Sequence, residues 1–243
     1  MKYKAYIFVS LLFACGLGAE SWTPLNLSVN SDITIFKQPN IRGLDLFWGM
    51  AESETVYGAQ IGIGGARVES ELAGIQLSLC FNELKGSGYG VQTAFVNEAK
   101  SLNGIQLACL GNLAQYQMNG FQFGVLNGVG ITSGELKGQF DASVSRLNGG
   151  QLGIANIAYY TNGMQIGVIN SANGINGIQI GFFCSAIDTK GVQVGFINKS
   201  TVVKGVQIGV LNICKSLQGV QIGILNIARD NTLPVMVGMN VGF

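Results

Sequence analysis

Apolar and polar positions follow one pattern through most of the chain: Gly, apolar, Gln, apolar, Gly, apolar, apolar, Asn. It is cleanest in GMQIGVIN from Gly163, GVQVGFIN from Gly191, GVQIGVLN from Gly205 and GVQIGILN from Gly219. Leading glycines at 149, 163, 177, 191, 205 and 219 recur every 14 residues, and earlier copies start at Gly43, Gly58, Gly74, Gly90, Gly104 and Gly120 with spacings of 14 to 16. A degenerate copy near Gly138, GQFDASVS, fills the gap before Gly149 and makes thirteen units. Self-similarity at a fixed short period marks an array of one structural unit.

Side chains alternate with period two inside each unit, so the unit is a β-strand. From Gly205, Val206, Ile208 and Val210 share one face, while Gln207, Gly209 and Leu211 share the other. The third place is Gln60, Gln76, Gln92, Gln106, Gln122, Gln151, Gln165, Gln179, Gln193, Gln207 and Gln221, with Asp45 there in the first unit. The fifth place is Gly or a small substitute (Ser78, Ala94, Ala108), except for Phe47 in the first unit. Linkers of about six residues, such as Ser171 to Asn176, Ser185 to Lys190 and Lys199 to Lys204, are rich in turn formers and are expected to be turns. No composition shift divides the array, so residues 20–243 read as a single repetitive β domain.

Composition narrows what the strands face. Only 11% of residues are charged, against about 25% in ordinary soluble proteins, and 36 glycines are about double the usual share. With one face aliphatic and the other of Gln, Gly and Leu, neither is made for open water. The favoured expectation is all-β: an antiparallel meander of about 14–15 short strands closing as an outer-membrane-type β-barrel, aliphatic face to lipid and glutamines inward. The terminal strands, Leu25 to Val29 and Val235 to Val241, then pair. The final alternating strand ending on Phe243 resembles a barrel insertion signal, and Tyr57, Tyr89, Tyr116, Tyr159 and Tyr160 sit where an interfacial girdle would lie. The alternative is a β-solenoid of about 14-residue repeats with an aliphatic core and Gln ladders outside, favoured by an apolar stripe too short for a lipid band of about 25 Å. Either way, parity places Ile208 on the buried face, so a charge there is expected to harm more than one at Gln207.

Lys2 and Lys4, an apolar core from Ala5 to Cys15 and small residues Gly16 to Ala19 form a secretory signal over 1–19. A second reading makes Leu12 to Cys15 a lipobox with Cys15 acylated. Four cysteines remain: Cys80, Cys109, Cys184 and Cys214, without a CxxC pair and without any histidine, so they read as free thiols buried as small apolar residues. The formal charge of +1 argues against an electrostatic nucleic-acid binder, which needs a concentrated basic face. Asp45 and Asp141 alone among the carboxylates fall within strands, and they read as polar interior residues in contact with water. The expectation is a protein that is no enzyme, with no catalytic, cofactor or metal site.

The opening Trp22-Thr23-Pro24-Leu25-Asn26-Leu27-Ser28, the unit Gly43-Leu44-Asp45-Leu46, the GxQxGxxN copies and the closing Leu233-Pro234 strand resemble a bacterial surface-repeat protein family of spirochaetes and other two-membrane bacteria, itself uncharacterised. The resemblance covers nearly all the chain after the signal. It implies an outer-membrane or cell-surface location and no activity. The functional expectation is an outer-membrane or surface structural protein, its partners outer-membrane lipid and, for a barrel, the barrel-assembly machinery. The alternatives are a weakly selective pore and a self-assembling surface solenoid.

Overall fold

A computed structural model describes residues 22–29, 33–34, 39–131 and 144–243. The signal segment 1–19 with Cys15, Gly138 of the degenerate copy and Asp141 lie outside the described residues. The strands are β1 (Trp22–Ser28), β2 (Asn40–Phe47), β3 (Met50–Gly62), β4 (Gly65–Ser78), β5 (Phe81–Phe123), β6 (Leu126–Val129), β7 (Arg146–Leu152), β8 (Ala155–Ile166), β9 (Ile169–Lys199), β10 (Val202–Cys214), β11 (Ser216–Ala228) and β12 (Val235–Gly242).

Every repeat lies parallel to the next and in register with it. Gly205 sits between Gly191 and Gly219, Gln207 between Gln193 and Gln221, and Asn212 between Asn198 and Asn226. A parallel neighbour requires the chain to return to the same end, and the residues between units do this by winding round one coil. The result is a β-solenoid of about 13 turns, which overturns the antiparallel barrel and supports the solenoid alternative. Identical units favour this solution because only parallel in-register stacking places each amide on its own kind. The terminal strands accordingly do not meet: β1 pairs with β2, and β12 pairs with β11 at the other end. With no barrel, the insertion-signal reading of Phe243, the tyrosine girdle and the role of a barrel-assembly machinery fall.

The linkers also depart from expectation. Ser171 to Asn176 and Ser185 to Lys190 belong to β9, whose 31 residues wrap continuously through two turns, and only the Lys199 to Lys204 linker has a break, at Ser200 and Thr201. Gln117–Phe123 of β5 lies directly against β7, so the units from Gly120 and Gly149 are stacked neighbours. An extra rung comes from the amino-terminal side, where Leu25–Ser28 lies on Leu44–Phe47 and puts Asn26 beside Asp45.

Glycine at the first place is enforced twice. Gly205 has φ +144°, and a Cβ there would lie 2.1 Å from the carbonyl oxygen of Gly191 in the turn before. Only glycine permits both the backbone conformation and the approach.

Four columns of side chains fill the coil. Two are polar, the third-place glutamines and the eighth-place asparagines. The other two are apolar and complementary in size. Ile41, Val56, Leu72, Leu102, Met118 and Leu147 form a large column, and Ala99, Ala114 and Ala158 belong to a small one. Where the large column narrows to Gly88, the small one swells to Leu84, whose Cδ2 occupies the space a Cβ at Gly88 would need. This is close packing by exchange of volume between neighbouring columns. β12 closes the far end by turning antiparallel onto β11, which stops the parallel stack as a solenoid cap must.

Candidate interaction surface

The glutamines predicted to face a lumen or the outside are among the most deeply buried of the described residues. All eleven are at most 1% exposed. Each side chain from Gln76 onward donates Nε2 to Oε1 of the glutamine one turn earlier, at 2.7–3.0 Å. The eighth-place asparagines form a second ladder that donates in the opposite direction: Asn82 to Asn97, Asn97 to Asn112, Asn112 to Asn127, Asn127 to Asn156 and Asn156 to Asn170, each 2.8–2.9 Å. Each of these Nδ2 groups also reaches a backbone carbonyl, as Asn156 does at Ile166. Two antiparallel rows of amide dipoles thus oppose each other inside the coil, and a buried polar network of this kind stabilises only when nearly every member is satisfied.

The faults in the ladders are informative. Cys184 takes an asparagine's place; Asn170 Nδ2 meets its sulfur at 3.9 Å, and Oδ1 of Asn198 beyond it is buried without a partner. Burial pushes the Cys184 thiol up to about 11, so it is a packed, unreactive group. Cys184→Asn is expected to join the two halves of the ladder and raise stability by about 1 kcal/mol. Thermal melting checks this, and a lower melting temperature would contradict it. At the cap, Gln221 Oε1 and Asn240 Nδ2 lie in register yet both lack partners, since asparagine is one methylene shorter than the glutamine a further rung would bring.

At the amino-terminal end the ladder terminates on Asp45, which is fully buried. It accepts from Gln60 Nε2 at 2.8 Å and from Asn26 Nδ2 at 2.9 Å. From the sequence it is expected in contact with water; the structure gives it an amide on either side instead, and its partner Asn26 lies in a segment outside the periodic repeat. Burial raises the Asp45 carboxyl above its ordinary range, while the bonds from Gln60 and Asn26 partly hold it down. A raised carboxyl pKa means the folded state holds the proton longer than the unfolded chain. Its stabilisation is complete below the unfolded value near 3.8 and is lost as pH rises through the folded value. Asp45→Asn is expected to remove that loss, because an amide continues the ladder from Gln60 toward Asn26. Melting temperature against pH should flatten above pH 4 in the variant, and an unchanged slope would contradict this account.

The aliphatic side chains predicted to be buried are outside. At the second and fourth places, Ile178, Ile180, Ile208 and Ile222 are each 40–45% exposed. The sixth and seventh places continue the surface with Trp48, Leu79, Phe95, Phe182, Phe183 and Phe196, and Phe182 and Phe196 stack with centroids 4.8 Å apart. Among the described residues none of these four columns carries a charge, and along the second and fourth places Thr93 is the only polar side chain. Fifth-place glycines 181, 195, 209 and 223 floor an apolar groove of about 860 Å³ along this surface, walled by the Ile180 to Ile222 column. An ordinary monomer exposes no contiguous apolar patch beyond roughly 300–600 Å², whereas this band continues along successive turns of the stack. The inversion of faces follows from Gly at the first and fifth places: tight coiling leaves room inside for amides that bond along the axis, and pushes the aliphatic residues out.

No family model, curated protein or solved structure matches the chain.

Other candidate sites are weak by comparison. No group of three or more His, Cys, Asp or Glu side chains among the described residues could hold a metal, and no described helix is long and apolar enough to cross a membrane. The four described cysteines are free thiols, but Cys80 and Cys109 are exposed on the aliphatic surface, where the sequence reading had them buried. Charges lie away from that surface. Some of those in the amino-terminal half pair, Arg67 with Glu52 and Glu83, and Lys85 with Glu69. The eighth-place asparagine ladder was visible in the sequence as a repeated Asn, and only the assumption of an antiparallel meander concealed its purpose.

Proposed function

We propose that this protein is a non-catalytic, self-assembling surface solenoid, whose work is done by the aliphatic band rather than by a reactive site. The observation that carries the reading is the charge-free run of exposed and half-exposed, mostly aliphatic and aromatic side chains along the second, fourth, sixth and seventh places of the described residues. Leaving such a surface in water is unfavourable by about 25 cal/mol per Å², so association that covers it is strongly driven. Two buried amide ladders and two apolar columns fill the interior, which supports a structural role over the pore alternative. Export follows from the signal-like segment 1–19, and with the family resemblance it supports a place on the bacterial cell surface. The test is sedimentation of the purified protein over a wide concentration range, beside a variant carrying Ile180→Ser, Ile208→Ser and Ile222→Ser. Oligomers in the parent and monomers of unchanged melting temperature in the variant are expected; a parent that stays monomeric contradicts the reading.

A further inference from the structure

The charges of the molecule are divided along the axis. Residues 22–131 carry five basic and eight acidic side chains, a net −3, whereas residues 144–243 carry six basic and two acidic, a net +4. The basic half is poorly compensated: Lys190 and Lys204 are register neighbours on successive turns, and among the described residues neither forms an ion pair. Neighbouring lysines with no carboxylate between them call for an acidic partner from outside.

We propose that two copies pair through the aliphatic band with their axes antiparallel, so that the acidic half of each lies over the basic half of the other; this rests on the self-assembly reading above. The symmetry decides it. A two-fold axis perpendicular to the solenoid axis lays each edge column of the band over itself in reverse order. Turn three from one end then meets turn three from the other, which sets the column edge holding Glu83 and Glu98 against the partner's Lys199. A two-fold parallel to the solenoid axis instead lays the basic half over the basic half. The antiparallel pair is isologous and closed, so it ends at a dimer and does not grow into a fibre. Shape agrees with charge. The glycine-floored groove lies in the basic half, while Trp48, 68% exposed, stands in the sixth-place column of the acidic half, where the antiparallel register carries it onto the groove near Gly223. The band exceeds what an interface of roughly 1,200–2,000 Å² in total requires from each partner.

The experiment is disulfide trapping between copies in a background with Cys15, Cys80 and Cys109 replaced by serine. Ile75→Cys and Val192→Cys occupy the second place three turns from opposite ends. Mixed together they are expected to crosslink, with Ala59→Cys and Val206→Cys covering a shift of one turn. Each variant alone is expected to give no dimer, since its two thiols would stand about 34 Å apart at 4.8 Å per turn. Crosslinking of Ile75→Cys with itself would overturn the antiparallel arrangement while leaving self-assembly standing. Monomers at every concentration would overturn the self-assembly reading, and monomers that float with lipid vesicles would assign the band to a membrane. Independently, Lys190→Glu with Lys199→Glu and Lys204→Glu is expected to weaken dimerisation at least tenfold at low salt with unchanged melting of the monomer. An unchanged dimer would overturn the charge argument.

Discussion

Gly205→Ala is expected to cost about 4 kcal/mol of folding stability, combining backbone strain of roughly 1–3 kcal/mol with a similar overpacking term. The cause is local and unforgiving. At φ +144° the new Cβ would lie 2.1 Å from the Gly191 carbonyl oxygen, which is backbone and cannot rotate away. Relief requires parting two turns, and that breaks the hydrogen bonds between them together with the Gln193–Gln207 rung at 2.7 Å. Val206→Ala, one residue along on the outer surface, serves as the control and should change stability little. Denaturant unfolding measures both, and a near-neutral Gly205→Ala would show that the first-place glycines do not set the approach of the turns.

Gln207→Asp should be nearly as damaging, whereas Ile208→Asp should leave the fold almost intact. Gln207 is fully buried between Gln193, to which it donates, and Gln221, from which it accepts at 2.7 Å. A carboxylate there faces the Gln193 oxygen with no donor to offer, and it stands too short for the ladder. An uncompensated buried charge of this kind costs about 3–5 kcal/mol. Ile208 is 40% exposed and a charge there meets solvent in the monomer, so its cost to folding should stay near the usual surface range of about 0.5 kcal/mol. Its effect should appear in association instead, since it puts a charge into the aliphatic band. Melting of dilute protein separates the two. A larger loss for Ile208→Asp would restore the assignment of faces that strand parity alone suggests.

That reversal shows what the residues disclose and what they conceal. The repeat, its strand character, its phase and the single domain are readable because period-two alternation and a 14-residue spacing survive in nearly every copy. The direction of winding is not readable from parity, because alternation tells which residues share a face without telling which face is inside. Hydrophobicity suggests that Val206 and Ile208 are buried, and that rule fails here because Gln207 and Asn212 satisfy each other's kind along the axis, which removes the usual penalty for burying amides. Glycine at the fifth place held the missing clue. At Gly209 a Cβ would come within 2.0 Å of the Gly195 carbonyl oxygen and 2.7 Å of Asn198 Nδ2, so the residue is small to admit both the backbone and the asparagine of the previous turn, an arrangement that a parallel stack provides. Asn26 and Asp45 belong to the same ladder, but the irregular spacing before Gly43 hides the extra rung from a search by period.

The parallel stack itself is best tested by a distance. Spin labels at Leu46 and Ile222 occupy the fourth place near opposite ends, both on the exposed surface. Eleven steps separate them along the column, which at 4.8 Å per turn predicts about 53 Å. The labels are placed in a background without Cys80 and Cys109, and labelled protein is diluted with unlabelled protein so that only distances within one copy are read. A narrow distribution near that length is the expected result. A distance of about 15 Å, as a closed barrel would give for two strands each next to one of its paired terminal strands, would contradict the solenoid.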